Sequence, residues 1–424
     1  MASFQFLHTG DIHLDSPLKG LSGHDGPAAE LIRTATRQAF ANLVDAAIAE
    51  HVAFVIIAGD LYDGDWRDYN TGLFFVRQMG RLASAQIPVY LIWGNHDAES
   101  QVTKRLNLPD NVKVFPSRKP QTLKLDGLPV AIHGQSFRQR DVTENLVPAY
   151  PAPVAGCFNV GVLHTGLGGV GGHANYAPCS MDDLVNKGYD YWALAHVHQR
   201  AVLHERPHVV FCGNLQGRHV RETGPKGACL VSVKDGVIDD VTTIRCSVVN
   251  WTRLDVPADT AGHLNDVVDA IRDSVARAVT ADDTGQLLAC RIEITGRTRL
   301  HAQLPGAIEQ LTAEARAAAL GLGDAAAWVE RVAINTEPVL DSSLLAVRAD
   351  ALGDLQKMVE DAASDKQLAD QIETAVGDLV RKLPHDLRTD LESGALLDAV
   401  NGDYASVAKR AGRDLLAQLE AEGA

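Results

Sequence analysis

The sequence predicts an α/β protein in which buried strands alternate with amphipathic helices. Four short runs rich in β-branched and aromatic residues are typical of buried strands: AFVIIA at 53–58, PVYLIW at 88–93, FNVGVLH at 158–164 and YDYWALA at 189–195. Between the first two runs, apolar residues recur every three or four positions from Leu31 to Ile48, and they do so again over 69–85. This alternation favours an α/β fold.

Further strands are expected after residue 200. The runs HVVFCGN, GACLVSV and VTTIRC, with KDG as a turn signal, predict antiparallel strands that complete a sheet.

The pattern changes near residue 250. Beyond it we expect a helix near 261–279, a strand at LLACRIEIT, an Ala-rich helix at 305–320 and a strand near WVERVAI, followed by almost continuous helix. The predicted domains are therefore 1–250, an α+β domain at 251–340 and a helical region at 341–424, which is either a partner-docking arm or a bundle packed on its own domain.

Composition limits the classes of protein that fit. A chain of 424 residues with 46% hydrophobic residues can build two or three cores. Its apolar runs are too short to span a bilayer, and the first residues have no basic n-region. The six cysteines form no C-x-x-C pair and are typical of buried thiols in a reducing compartment. We expect a cytoplasmic protein with no membrane partner.

The net charge of −15 is unevenly distributed along the chain. Residues 1–250 contain 22 Lys and Arg against 24 Asp and Glu, whereas residues 251–424 contain 17 against 30. An anionic substrate would therefore bind the first part.

Side chains that can bind metal ions follow five strand-like runs in succession. Seven of them suit two neighbouring ions that share one carboxylate: Asp11, His13, Asp60, Asn95, His164, His196 and His198. Mixed oxygen and nitrogen donors favour Mn²⁺, Fe, Co or Zn²⁺ over Mg²⁺ or Ca²⁺. Pairs of such ions are used to hydrolyse phosphate esters. The pattern therefore predicts a two-metal hydrolase.

The order D-x-H, G-D-x-x-D, G-N-H-D, H and H-x-H resembles that of the calcineurin-like metallophosphoesterase superfamily. The strings GDIHLDSPL, HGQSF, HTGLGG, YWALAHVHQ and GNLQGRHVRETGPKG resemble the SbcD/YhaO type of DNA repair exonuclease subunit. The likeness is close over 1–246 and only general beyond 250. It implies a four-layer αββα sandwich with a smaller α+β cap and a helical C-terminal region. One departure is Ala195, where the family usually has glycine before H-x-H.

The resemblance also implies roles for single residues. Asp11, His13, Asp60 and His198 would hold the first metal ion, and Asp60, Asn95, His164 and His196 the second. His96 and Asp63 are the candidate catalytic pair: His96 would act on the scissile phosphate or its leaving group, and Asp63 would orient it. The family further implies a preference for Mn²⁺ and an SbcC- or YhaN-like ATPase partner. The sequence itself contains no G-x-x-x-x-G-K-[ST] motif.

DNA is the expected substrate. Candidate contacts to its backbone are Arg200, Arg218, Arg221 and His173, although basic surface residues are often simply solvated. We therefore predict a metal-dependent phosphodiesterase that acts as a DNA exonuclease or endonuclease subunit in repair. Two alternatives stay open: a phosphatase or nucleotide phosphodiesterase acting on small substrates, and a catalytically silent DNA-end scaffold subunit. Oligomeric state, including a homodimer, also stays open.

Overall fold

The computed structural model describes nine segments of the chain: 3–16, 26–63, 69–99, 107–169, 175–323, 325–339, 351–362, 366–383 and 394–423. The chain forms two compact units. One comprises Met1–Thr252 with Gln286–Ala289, and the other comprises Arg253–Gly285 with Cys290–Ala424. The domain boundaries at 250 and 340 stay a prediction, and the start of the predicted helical region, 341–350, lies outside the described residues.

The described strands and helices are as follows. The strands are β1 (Phe4–Thr9), β2 (Phe54–Ile57), β3 (Val89–Leu91), β4 (Val112–Val114), β5 (Gln121–Lys124), β6 (Val130–Gly134), β7 (Phe158–His164), β8 (Tyr191–Ala195), β9 (Ala201–Glu205), β10 (His208–Phe211), β11 (Gly227–Lys234), β12 (Val237–Arg245), β13 (Val249–Pro257), β14 (Leu287–Thr298) and β15 (Ala327–Pro338). The helices are α1 (Pro27–Ala49), α2 (Tyr69–Ser84), α3 (Asn95–Glu99), α4 (Met181–Val185), α5 (Leu264–Ala281), α6 (Ile308–Gly321), α7 (Ala351–Ala362), α8 (Lys366–Lys382), α9 (Ala395–Val400) and α10 (Tyr404–Gly423).

The first unit contains two six-stranded sheets. The first sheet has the order β12-β11-β1-β2-β3-β4, and the second has the order β5-β6-β7-β8-β10-β9. Strands β1 to β4 run parallel to one another, as do β6, β7, β8 and β10. Parallel strands place their carboxyl ends at one edge of the sheet, which is where the predicted metal ligands follow.

Alternation along β1 explains how the sheets pack. Leu7 packs with Phe40 of α1 and Phe75 of α2 on the outer face of the first sheet. Its neighbour Phe6 points to the other face and packs between the two sheets with Tyr191 of β8. On the outer face of the second sheet, a third core contains Trp192. These layers confirm the predicted αββα sandwich.

Helix α1 illustrates how the sequence sets one of these layers. Pro27 occupies its first turn directly after Gly26, whose φ is 107°, so the helix begins where proline is tolerated. Ala35, Ala39 and Leu43 then bury one face of the helix.

One strand prediction is confirmed only in part. The run HVVFCGN was expected to form one of a set of antiparallel strands, and β10 does pair antiparallel with β9, but it pairs parallel with β8 and lies in the second sheet. Only β11 and β12 extend the first sheet in antiparallel fashion. The chain changes sheets between β10 and β11, and hydrophobic periodicity carries no signal for such a crossing.

The second unit is mixed α and β. Most residues of β13, β14 and β15, which form a three-stranded sheet in that order, belong to this unit. Helices α5 and α6 pack against each other and bury Ile271, Val275 and Leu311. Helix α10 packs against α7, α8 and α9. None of the helices that the structure describes is both long and apolar enough to span a membrane.

Candidate metal centre

The predicted metal ligands lie at the carboxyl ends of neighbouring parallel strands. Asp11 and His13 follow β1, Asp60 follows β2, and Asn95 follows β3. In the second sheet His164 ends β7, while His196 and His198 follow β8. Functional groups of open α/β sheets collect at such ends, because the loops there meet at one edge.

The structure brings these seven residues together, and we call them the donor cluster. Its Asp and His members, joined by His96, form three groups whose ligand atoms lie within 4.8 Å of one another: Asp11, His13 and His198; His13, Asp60 and His96; and Asp60, His164 and His196. The amide oxygen Oδ1 of Asn95 lies 2.9 Å from His164 Nε2, which is 3.4 Å from Asp60 Oδ2. His13 Nε2 lies 3.3 Å from His198 Nε2. Asp60 belongs to two of the three groups.

Four residues of the donor cluster have strained backbone conformations. Asp11, His13 and Asp60 have φ angles of 47°, 47° and 52°, and His196 has a φ of 102°. Residues with a β-carbon seldom adopt positive φ, and each such conformation costs of order 1–3 kcal/mol. The surrounding packing therefore holds these side chains in place at the expense of local stability.

Glycines leave the space that the cluster needs. A methyl group at position 94 would lie 2.2 Å from Asp60 Oδ1, and one at position 59, whose φ is 105°, would lie 2.7 Å from His164 Nδ1. At Gly10 a methyl group would lie 2.5 Å from the β-carbon of Ala195. Ala195, the departure from the family pattern, thus fills space beside Gly10, and His196 and His198 still join the cluster.

Hydrogen bonds to the backbone orient the donors. Asp11 accepts the His196 N–H on both carboxylate oxygens, at 3.1 and 2.9 Å. His164 Nδ1 lies 3.1 Å from the carbonyl oxygen of Ala58, and a carbonyl can only accept, so Nδ1 carries the proton. Nε2 of His164 is then the nitrogen available to a metal ion.

The buried carboxylates of the cluster favour a positive charge beside them. Burial raises the pKa of Asp11 more than the neighbouring charges of His198 and His164 lower it. Burial also opposes ionisation of Asp60, but the charge and hydrogen bond of His164 outweigh it and hold the pKa of Asp60 below its usual range. The Asp60 charge in turn overcomes burial and raises the pKa of His164 to about 9. The two buried carboxylates thus favour positive charge beside them, and carboxylate and imidazole donors grouped in this way fit divalent cations.

Beside the cluster lie His96 and Asp63. His96 Nδ1 is 2.9 Å from Asp63 Oδ1, and the His96 side chain is 30% exposed. Ser16 Oγ donates to Asp63 Oδ2 at 2.5 Å, and Arg218 Nη1 lies 3.7 Å from the same oxygen. Burial lowers the pKa of His96, but the Asp63 hydrogen bond and the Asp60 charge outweigh it and leave the pKa raised.

The four predicted DNA contacts have different surroundings. Arg218 lies at the cluster, where Nη2 is 3.5 Å from His198 Nδ1. Arg200 instead donates from Nη2 to the carbonyl oxygen of Val241 on β12 at 2.9 Å. Arg221 is exposed. His173 lies outside the described residues.

Sequence reasoning gave no role to two buried carboxylates near the cluster, Asp97 and Glu222. Asp97 accepts the N–H groups of Leu61, Tyr62 and Gly94 at 3.1, 2.9 and 3.0 Å, which ties the loop after β2 to the loop after β3. Burial is the largest cause that raises its pKa to about 6. Glu222 lies 2.5 Å from His198 Nδ1. Asp97 is the last residue of the G-N-H-D motif, and this position could have indicated a role at the site.

Comparison with known proteins agrees with this geometry. Residues 4–200 match the calcineurin-like phosphoesterase family, and 251–337 match the middle domain of metallophosphoesterase YhaO. An uncharacterized metallophosphoesterase YhaO of Bacillus subtilis is 37% identical over 281 residues, which cover 65% of this chain and 69% of the relative. The chain belongs to the calcineurin-like metallophosphoesterase family. Its predicted likeness to the SbcD/YhaO type is confirmed, and the family is one of metal-dependent phosphoesterases.

Other known proteins match over shorter stretches. The DNA double-strand break repair protein Mre11 of Sulfurisphaera tokodaii is 29% identical over 214 residues, which cover 48% of this chain and 51% of that protein. The chain thus spans about half of that relative. A dimetal phosphatase from Danio rerio aligns with 57% of this chain and 99% of its own at 12% identity and a TM-score of 0.35.

Proposed function

We propose that this protein hydrolyses phosphodiester bonds with two bound divalent metal ions. The observation that carries the proposal is the donor cluster, in which residues at the carboxyl ends of strands from both sheets form three overlapping groups, each with its ligand atoms within 4.8 Å of one another. A shared carboxylate is expected between paired ions, and Asp60 is the carboxylate that occurs in two of the groups.

The ions are assigned to two overlapping donor sets. The first set is Asp11, His13, Asp60 and His198, and the second is Asp60, Asn95, His164 and His196. Carboxylate, amide and imidazole donors together suit Mn²⁺ best, with Fe, Co and Zn²⁺ as alternatives. Bound there, the ions would polarise the phosphoryl oxygens and activate water.

The chain itself supplies the acid. The Asp63 carboxylate can only accept, so His96 donates its Nδ1–H to it and keeps Nε2 for the substrate. The neighbouring carboxylates favour the charged imidazole, which can hydrogen-bond a phosphoryl oxygen or give a proton to the leaving oxygen. Ser16 and Arg218 hold Asp63 from its other side.

DNA is the proposed substrate, in a repair nuclease. The likeness to Mre11, named as a DNA double-strand break repair protein, supports it. The charge distribution agrees, because residues 1–250 are nearly neutral while the rest of the chain holds most of the −15. An ATPase of the SbcC or YhaN type is the proposed partner, and the cytoplasm the proposed location.

The test is hydrolysis of labelled single-stranded and double-stranded DNA beside a small phosphodiester, with and without added Mn²⁺. We expect Mn²⁺-dependent cleavage of DNA that is lost on chelation, while circular dichroism stays unchanged because the apolar cores do not include the donor cluster. Undiminished turnover after exhaustive chelation would contradict the two-metal mechanism. Cleavage of the small phosphodiester alone would favour the small-substrate alternative.

A further inference from the structure

Glu222 is a buried carboxylate whose oxygens are both bonded. Oε1 lies 2.5 Å from His198 Nδ1. Oε2 accepts a hydrogen bond from Asn214 Nδ2 at 2.9 Å and another from the Arg218 backbone N–H at 2.7 Å. Its side chain is 6% exposed, so these protein groups replace water around the charge.

This arrangement settles which nitrogen of His198 carries a proton. Donors surround both oxygens of Glu222: Asn214 Nδ2 and the Arg218 backbone N–H bond Oε2, and Arg218 Nη2 lies 3.4 Å from Oε1. A carboxylate surrounded in this way can only accept, so His198 must donate to Oε1 from Nδ1. Its Nε2 then faces the donor cluster, 3.3 Å from His13 Nε2.

The carboxylate is itself held on its far side. Asn214 Nδ2 and the Arg218 backbone N–H are donors, and both bond Oε2, so the carboxylate cannot turn without losing them. Arg218 Nη2 also lies 3.4 Å from Oε1. Glu222 is therefore a fixed acceptor for the ring of His198.

We propose that Glu222 is a positioning residue of the first metal site, where it holds His198 with Nε2 unprotonated and turned toward the ion. The inference rests on the proposed function, since it assumes that His198 is a metal ligand. It assigns Glu222 to one of the two ions, because its contact is to His198 and the second donor set does not include His198. A carboxylate that merely stabilised the fold would not discriminate between the ions.

Glu222→Gln tests the proposal with little change in shape. If the NH2 group of the new glutamine faces His198, Nδ1 of His198 must accept its hydrogen bond. Nε2 then carries the proton and cannot bind metal. If the NH2 group instead faces Asn214 Nδ2 and the Arg218 backbone N–H, it meets two other donors, and the hydrogen bonds that hold the side chain are lost. Loss of a carboxylate partner of a ligating histidine typically weakens metal binding about 10–100-fold.

The readout is Mn²⁺ binding to the full-length chain, followed by electron paramagnetic resonance of free Mn²⁺. We expect the wild type to bind two ions and E222Q to bind one of them about 10–100-fold more weakly, with the other unchanged. Excess Mn²⁺ should restore most of the phosphodiester turnover that E222Q loses. Glu330→Gln is the matched control, because Glu330 pairs with Arg291 at 2.9 and 3.0 Å and its loss should leave both ions at wild-type affinity.

The outcomes separate the two claims. A wild-type chain that binds fewer than two ions would overturn the proposed function and this inference with it. Two ions in the wild type with unchanged affinities in E222Q would overturn only the inference, as would equal weakening of both ions. Glu222→Asp, which keeps the charge but withdraws it by one methylene, should weaken the same single ion. If neither variant folds by circular dichroism, Glu222 is a residue of the fold and the inference is wrong.

Discussion

Gly94→Ala should disable the site through one methyl group. That methyl would lie 2.2 Å from Asp60 Oδ1 and 2.7 Å from the Asp60 backbone nitrogen. Carbon contacts become ordinary near 3.4 Å, so the Asp60 carboxylate or the loop after β3 must withdraw by about 1 Å. Because the backbone of Asp60 is also close, a change of rotamer alone cannot relieve the clash.

The expected magnitude follows from that displacement. Metal and catalytic groups must be held within about 0.5 Å of their productive positions. A misplacement of about 1 Å can lower turnover about 100-fold. Overpacking of this kind also lowers the free energy of unfolding by about 1–3 kcal/mol. We therefore expect G94A to fold, to bind Mn²⁺ more weakly and to lose about two orders of magnitude in activity.

The assay measures turnover of a small phosphodiester, Mn²⁺ affinity and thermal unfolding on the same preparations. Gly80→Ala is the control, because a methyl group at this helical position in α2 would have no atom within 4 Å. It should raise the free energy of unfolding by about 0.5–1 kcal/mol and leave activity unchanged. Wild-type turnover and Mn²⁺ affinity in G94A would refute the steric reasoning.

Three further outcomes are expected. His96→Asn should keep both metal ions but lose about 10²–10⁴-fold in turnover, whereas Asp60→Ala should lose metal as well; elemental analysis showing equal metal loss would place His96 among the ligands. Asp183→Ala should lower the free energy of unfolding near neutral pH by about 0.5–1 kcal/mol, since Asp183 forms a capping box with Ser180. Hydrogen bonds from Ser180 lower the pKa of Asp183, so this contribution is present above the usual carboxyl range and is lost as pH falls through the lowered pKa; a difference that persists in acid, measured by chemical unfolding, would contradict it. Deleting 341–424 should leave hydrolysis of a small phosphodiester nearly intact and abolish binding to the proposed ATPase, and full-affinity binding in a titration would locate the docking surface elsewhere.

Strand-end patterns in the sequence were sufficient to predict the donor cluster as a group. Asp11, Asp60 and Asn95 each follow an apolar run, and parallel strands have to bring such positions to one edge. Short runs rich in β-branched and aromatic residues likewise predicted β2 and β7, because a strand buried on both faces is largely apolar and does not alternate with polar residues. These predictions succeed because the local hydrophobic pattern and the parallel pairing of strands depend little on the tertiary packing of other elements.

Contacts between distant loops were decided only by the tertiary structure. His198 meets Glu222 and Arg200 meets Val241 across loops or strands whose spacing in the chain implies no contact. The sheet that β10 joins was likewise not encoded in its pattern, because a buried apolar strand suits either sheet. The sequence by itself determined which residue types reach the common edge, through the regular repeat of strands. Which nitrogen of His164 and of His198 faces the donor cluster was left to long-range hydrogen bonds, which form only once the chain has folded.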